Sequence, residues 1–165
     1  MSRRKGFSLV ELLIVLAVIA ALIATITPVA LNAIKKAKAT QVAQNLKTLA
    51  SALENAAYVN GVEDGFVNDI ADLKDLGRDI DGKVYNVYYE EYSATKGEFR
   101  VWVVTKADVN KDEVDKIINT LPSGSSKTNW SDIKNTVPQT KLTNNTWTPA
   151  DTDSVMYYEF DFTVY

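Results

Sequence analysis

The chain has no cysteine and no histidine among its 165 residues. Without cysteine there is neither a disulfide nor a thiolate metal site. Without histidine the usual general base and the commonest metal ligand are missing. Glycine is scarce, seven in all, and none stands between Phe7 and Asn60. Charge is missing where it matters most, since Leu12 to Ile34 carries none. Excess positive charge is also absent. The net charge is −3, and removing Arg3, Arg4 and Lys5 would make the remainder more acidic still. An acidic exterior argues against a general nucleic-acid binder, and no nucleic-acid site is evident.

What is present begins at the N-terminus. Lys5 to Ile34 reads KGFSLVELLIVLAVIAALIATITPVALNAI. About 20 apolar residues at about 1.5 Å each match a hydrocarbon core of about 30 Å, so the run is long enough to span a membrane. It is too long for the apolar core of an ordinary secretory signal. Arg3, Arg4 and Lys5 in front of it would stay on the cytoplasmic side. One carboxylate, Glu11, sits inside its first turns. Near the bilayer centre such a group costs roughly 2–3 kcal/mol, less near the headgroups, so it needs a reason to exist. Pro28 interrupts the run and removes the backbone bond to the carbonyl of Ala24; Thr25 and Thr27 are placed to bond freed backbone groups.

From Lys35 the pattern changes without a turn signal. Val42, Leu46, Leu49, Leu53 and Ala56 or Ala57 recur every three or four residues and draw one stripe on a helix, with Gln41, Asn45, Lys47, Ser51 and Glu54 off it. Asn60-Gly61 is a natural stop. The spacing predicts one helix from Phe7 to about Val59, roughly 53 residues and on the order of 80 Å. Its first half is apolar all round. Its second half needs a partner for one face.

The rest of the chain must supply that partner. Asp64-Gly65 and Asp81-Gly82 signal turns. Asn68–Leu76 suits a short helix closed by Gly77. Val84–Tyr92 and Phe99–Thr105 read as strands joined by Ser93–Gly97, the second with Phe99, Val101 and Val103 on one face and Arg100, Trp102 and Val104 on the other. Asp108–Leu121 returns to helical spacing, with Asn110 and Glu113 as a capping box and Pro122 and Gly124 ending it. Ser123–Asp153, rich in Ser, Thr and Asn, has no clear period and reads as a long surface connection, with Trp130 and Trp147 better placed to pin it to the domain than to serve as exposed contacts. Val155–Tyr165 alternates as a last strand. The fold class expected is α+β: a long helix on a small antiparallel sheet of three to four strands.

Three further patterns compete for chemistry. Asp108, Asn110 and Asp112 resemble the start of a calcium loop, but the sixth-place Gly and twelfth-place Glu are absent and capping accounts for two of the residues. Asn129-Trp-Ser131 and Asn144-Asn-Thr146 are glycosylation sequons of a kind that arises by chance in such composition. No phosphate loop, paired-carboxylate site or nucleophile–base constellation stands out. No catalytic residue, cofactor or metal site is expected.

The stretch from Lys5 to about Asn32 resembles the class III leader of type IV pilins and pseudopilins: a short basic leader, Gly6, then Phe7-Ser-Leu-Val-Glu11 and an apolar run, all in register. The resemblance implies cleavage between Gly6 and Phe7 by a prepilin peptidase and N-methylation of Phe7 by the same enzyme. It implies that Glu11 pairs with the Phe7 amine of a neighbouring subunit and that the helix kinks or loosens at Pro28 on assembly. It divides the chain into a cleaved leader 1–6, a transmembrane and filament-core helix 7–34, and residues 35–165 as amphipathic half-helix plus exported α+β domain. The implied function is a subunit of a type IV pilus. Its partners would be other copies of itself, membrane lipid before assembly, the peptidase and an inner-membrane assembly platform. The alternatives are a pseudopilin or minor pilin of a secretion or DNA-uptake machine, and an anchored enzyme or binding domain with a coincidental leader. Gly-Pro and calcium-site signatures of the main secretion pseudopilin are missing, which favours a pilus. Beyond about Ala57 the resemblance is of layout only. Many relatives close their C-terminal region with a disulfide, so here strand pairing and packing must hold the long connection.

Overall fold

The computed structural model describes residues 7–60, 73–77, 80–91, 97–118, 128–138, 140–141 and 147–165. Expectations for Gly6 and the rest of the leader, Asp64-Gly65, the start of the short helix at Asn68, most of Ser93–Gly97, Pro122, Gly124 and the Asn144 sequon lie outside them. Contacts divide the chain into two compact units, 1–37 and 38–165.

Helix α1 (Leu9–Asn60) runs without interruption through Pro28. The good helix formers on either side and the absence of glycine account for its length. Thr25 Oγ1 donates to the Leu22 carbonyl at 2.9 Å and Thr27 Oγ1 to that of Ile23 at 2.7 Å. These bonds are local back-bonds to the preceding turn. They go to carbonyls upstream of Ala24, the one whose partner Pro28 removes. Within the first unit every described residue is exposed.

In the second unit, α1 buries Ala39, Val42, Ala43, Leu46, Leu49, Ala50, Leu53 and Ala57. This stripe forms one core with Val87, Phe99, Val101, Val103, Met156 and Phe162 from the sheet. Asn45 Nδ2 donates to the Tyr85 hydroxyl at 3.2 Å, and the Tyr58 hydroxyl donates to the Thr163 carbonyl at 3.1 Å. The short helix α2 (Leu73–Leu76) adds Leu73 and Leu76, and the Gly77 N–H closes it on the Leu73 carbonyl at 3.0 Å.

Strands β1 (Tyr85–Glu91), β2 (Glu98–Thr105) and β5 (Ser154–Thr163) form the antiparallel body of the sheet. Two-residue strands β3 (Thr128–Asn129) and β4 (Thr140–Lys141) extend its edges, giving the order β3-β5-β2-β1-β4. The turn into β1 is set by Asp81, whose carboxylate accepts from the Lys83 N–H at 2.9 Å. Gly97 precedes β2 with φ 86°, and a Cβ there would meet the Val164 carbonyl, so glycine is required. The α+β pilin architecture expected from the sequence is the one observed.

The connection before β5 departs from expectation. Its described residues are not all surface loop. Trp130, at the start of helix α4 (Trp130–Ile133), packs with Val137 and Trp147 on Tyr88, Trp102, Val104 and Val155, forming a second core on the other face of the sheet. Trp130 and Trp147 are 7% and 8% exposed, so both pin the connection. Asn86, fully buried, donates to the Trp147 carbonyl at 2.7 Å and to the Tyr88 hydroxyl at 3.3 Å. Trp102 stacks on Tyr157 at 4.5 Å. Both sheet faces are thus covered, which is why β1, β2 and β5 carry large apolar groups on both sides. Helix α3 (Lys111–Ile117) is shorter than the expected Asp108–Leu121. It starts at Asn110, whose Oδ1 accepts from the Asp112 N–H at 2.8 Å.

Candidate functional site

The start of α1 is the candidate site. Phe7 is 81% exposed. Ser8 is the residue before the first helical position, and Glu11 is the third residue of the helix. Ser8 Oγ accepts from the Val10 N–H at 3.3 Å, while the Ser8 N–H donates to Glu11 Oε2 at 2.9 Å. The Leu12 N–H bonds the Ser8 carbonyl at 3.2 Å. These reciprocal bonds form a capping box, which satisfies helix N–H groups that have no partner within the helix. An acid at this end also suits the helix dipole. The signal was in the sequence as Ser8-Leu-Val-Glu11, and Ser8 is the residue that sequence reasoning passed over.

Downstream, Leu9, Val10, Leu12, Leu13, Ile14, Leu16, Val18, Leu22, Ile23, Ile26, Val29, Leu31 and Ile34 are all at least 50% exposed. The helix is long and apolar enough to cross a membrane by length and composition. An apolar surface of this extent has to be covered by lipid or protein.

The other candidates do not converge on chemistry. Asn110 spends its side chain on the α3 cap, and Asp112 lies in the first turn of α3. Among the described residues no group of three or more acidic side chains gathers as a metal site. Asn129 is exposed ahead of α4 and makes no side-chain cap bond, while Ser131 Oγ donates to Asp132 at 3.1 Å. Arg100 lies 3.5–3.8 Å from Glu90, Glu159 and Asp161 across β1, β2 and β5, a partly exposed network of the kind worth little each. An open cleft of about 330 Å³ beside Trp130 is lined by Tyr88, Lys134, Val137, Pro138 and Thr148, and Lys134 there is engaged by Asp151 at 2.8 Å. Burial pushes the Tyr88 and Tyr89 phenols up to about 12, and raises Tyr85, Tyr157 and Tyr158 as well. These shifts move groups away from neutral pH, the opposite of what acid–base catalysis requires.

The fold therefore defines a class first: a long N-terminal helix whose second half packs on a small antiparallel sheet, the α+β pilin fold. Residues 1–27 match the family model of the prokaryotic N-terminal methylation motif. The match supports a class III leader of the type IV pilin and pseudopilin kind at this end of a pilin-like chain. No curated protein and no solved structure matches the chain.

Proposed function

We propose that this chain is the structural subunit of a type IV pilus. It inserts in the inner membrane as a prepilin, with Arg3, Arg4 and Lys5 cytoplasmic. A prepilin peptidase cleaves after Gly6 and methylates the new N-terminus at Phe7. The helix 7–34 then leaves the bilayer through an assembly platform and bundles with copies of itself, while 35–165 forms the exterior of the fibre. The role is mechanical; adhesion, surface motility or DNA uptake would follow at the filament level. Pro28 supplies the point where the helix kinks or loosens as it leaves lipid for protein.

The observation that carries this reading is the exposed apolar half of α1, which begins inside the methylation motif and carries Glu11 as its one charge. In a bundle of such helices, Glu11 pairs with the Phe7 amine of a neighbour. A wrong stagger would strand both charges in an apolar core, so the pair sets register more than stability.

The mass and N-terminus of the mature protein test the first step. Cleavage after Gly6 with one added methyl is expected, and replacing Gly6 should leave a precursor six residues longer. Electron microscopy of sheared surface fibres tests the second. Glu11→Ala should accumulate in the membrane yet give few filaments, and normal piliation of that variant would sink the register argument. A scarce, correctly processed subunit without long fibres would instead indicate a pseudopilin or minor pilin.

A further inference from the structure

The uncharged run of α1 ends sharply. Ile34 is 53% exposed, and the next two residues are Lys35 and Lys36, both exposed. Leu12 to Ile34 covers about 34 Å of helix at about 1.5 Å per residue, close to the roughly 30 Å of a hydrocarbon core. A span that fills the core in this way sets both ammonium groups at the level of the lipid phosphates, which long lysine stems can reach. Lysine is out of place there. Basic residues beside a span favour its cytoplasmic end, yet with Arg3, Arg4 and Lys5 inside, this pair lies at the outer end. Removal of residues 1–6 sharpens the contrast, since no basic side chain stands between Phe7 and Ile34. Nor does general charge draw the chain to an anionic surface, the net being −3. A cationic pair held against the usual bias calls for an anionic partner at that level.

We propose that Lys35 and Lys36 form a binding site for anionic phospholipid headgroups in the periplasmic leaflet of the inner membrane. Lipid phosphates accept charge-assisted bonds from the two ammonium groups and fix how deeply helix 7–34 sits before assembly. The pair is the anchor that survives processing, because cleavage removes the basic residues of the inner end and leaves these. Phosphate is at hand as soon as the chain inserts, whereas an acidic surface of a second copy arrives only on assembly. The site rests on the membrane-inserted state proposed above and not on the fibre.

The chain has no cysteine, so Ala37→Cys in the full chain carries a single fluorophore beside the pair. The labelled chain is reconstituted at low density in phosphatidylcholine vesicles holding a trace of spin-labelled phosphatidylglycerol or of spin-labelled phosphatidylcholine. Quenching reports which lipid gathers around position 37, and Arg3, Arg4 and Lys5 face the other leaflet. Phosphatidylglycerol should be enriched roughly fivefold over phosphatidylcholine, the factor that one lysine at an anionic surface represents. High salt should remove most of the difference. Lys35→Gln combined with Lys36→Gln should bring the two lipids close to equal. Lys47→Gln, about three turns further along α1, should leave the preference unchanged.

The near-ultraviolet signal of the domain, whose buried core begins at Ala39, shows that each variant is folded. Equal quenching by the two lipids in the labelled parent, or an unchanged preference in the double variant, would overturn the proposal. So would quenching that responds to the lysines only at high protein density, which would assign them to an acidic neighbouring copy. Absence of quenching by either lipid would overturn membrane insertion itself and the site with it. Fibres play no part in any arm, so a chain that prefers anionic lipid and never forms filaments would leave this site standing and remove the pilus reading.

Discussion

Tyr88 is only 5% exposed, its ring 5.4 Å from that of Trp130, and its hydroxyl accepts from Asn86. Burial raises its phenol from 10.0 to about 12. Below pH 10 both folded and unfolded chains hold a neutral phenol. Between pH 10 and about 12 the unfolded chain releases the proton and the folded chain keeps it, so stability falls as pH rises; above that it levels off. The loss from Tyr88 is about 2–3 kcal/mol. Thermal melts of the full chain in detergent, followed by near-ultraviolet circular dichroism, should show a shallower alkaline loss in Tyr88→Phe. The slope should not vanish, because Tyr85 and Tyr89 are raised by burial too. Asn86 makes a second test at this scale. Asn86→Ala removes the buried bond to the Trp147 carbonyl and should cost about 0.5–1.5 kcal/mol. Trp147 should then be freed, with red-shifted tryptophan emission. A variant as stable as wild type would show that the connection is held by packing alone. The burial of the tryptophans was legible in the sequence, since large amphipathic rings rarely stay in water. The role of Asn86 was not, because nothing local tells a strand asparagine facing solvent from one facing a distant carbonyl.

Helix α1 is an element with two different faces to account for. Its extent was readable almost to the residue, because absence of glycine, a continuous apolar run and a 3–4 spacing are all local signals. The buried stripe follows the same spacing, with Ala39, Ala43 and Ala50 added beside the larger side chains. Alanine lets the helix approach the sheet closely, and this contribution is hard to see in a sequence where alanine is common on every face. The contrast between the two halves is measurable. Leu49 is fully buried, so Leu49→Ala should destabilise the domain by about 2–5 kcal/mol. Ile14 is 58% exposed, so Ile14→Ala should leave the domain's unfolding midpoint unchanged. A matching loss from both would mean that the first half also packs on the domain. The second core escaped notice for the opposite reason to α1. Trp130, Val137 and Trp147 follow neither a period of two nor one of 3.6, and they meet only because the chain folds back over β1, β2 and β5. Their placement depends on long-range closure that spacing does not encode.

At the scale of the whole molecule, the division falls where the surface changes character. Among the described residues no buried side chain precedes Ala39, and both cores lie beyond it. A fragment beginning at Lys35 therefore keeps everything the domain needs to fold. It should be soluble without detergent and monomeric on size exclusion, with the tyrosine and tryptophan near-ultraviolet signal of the full chain. Its new helix start is poor. Lys35, Lys36 and Lys38 place positive charge at the positive end of the helix dipole, and the Ser8 cap is gone. Fraying should reach about Ala39 and stop there, because the next turns are anchored by Val42, Ala43 and Leu46 in the core. Amide exchange should be fast before Ala39 and protected after it. The full chain should differ in one respect only: with its exposed apolar half attached, it should require detergent, lipid or a filament. A fragment that aggregates or unfolds would place part of the domain's stability in residues 7–34. A fragment that assembles into fibres would remove that segment from the filament core.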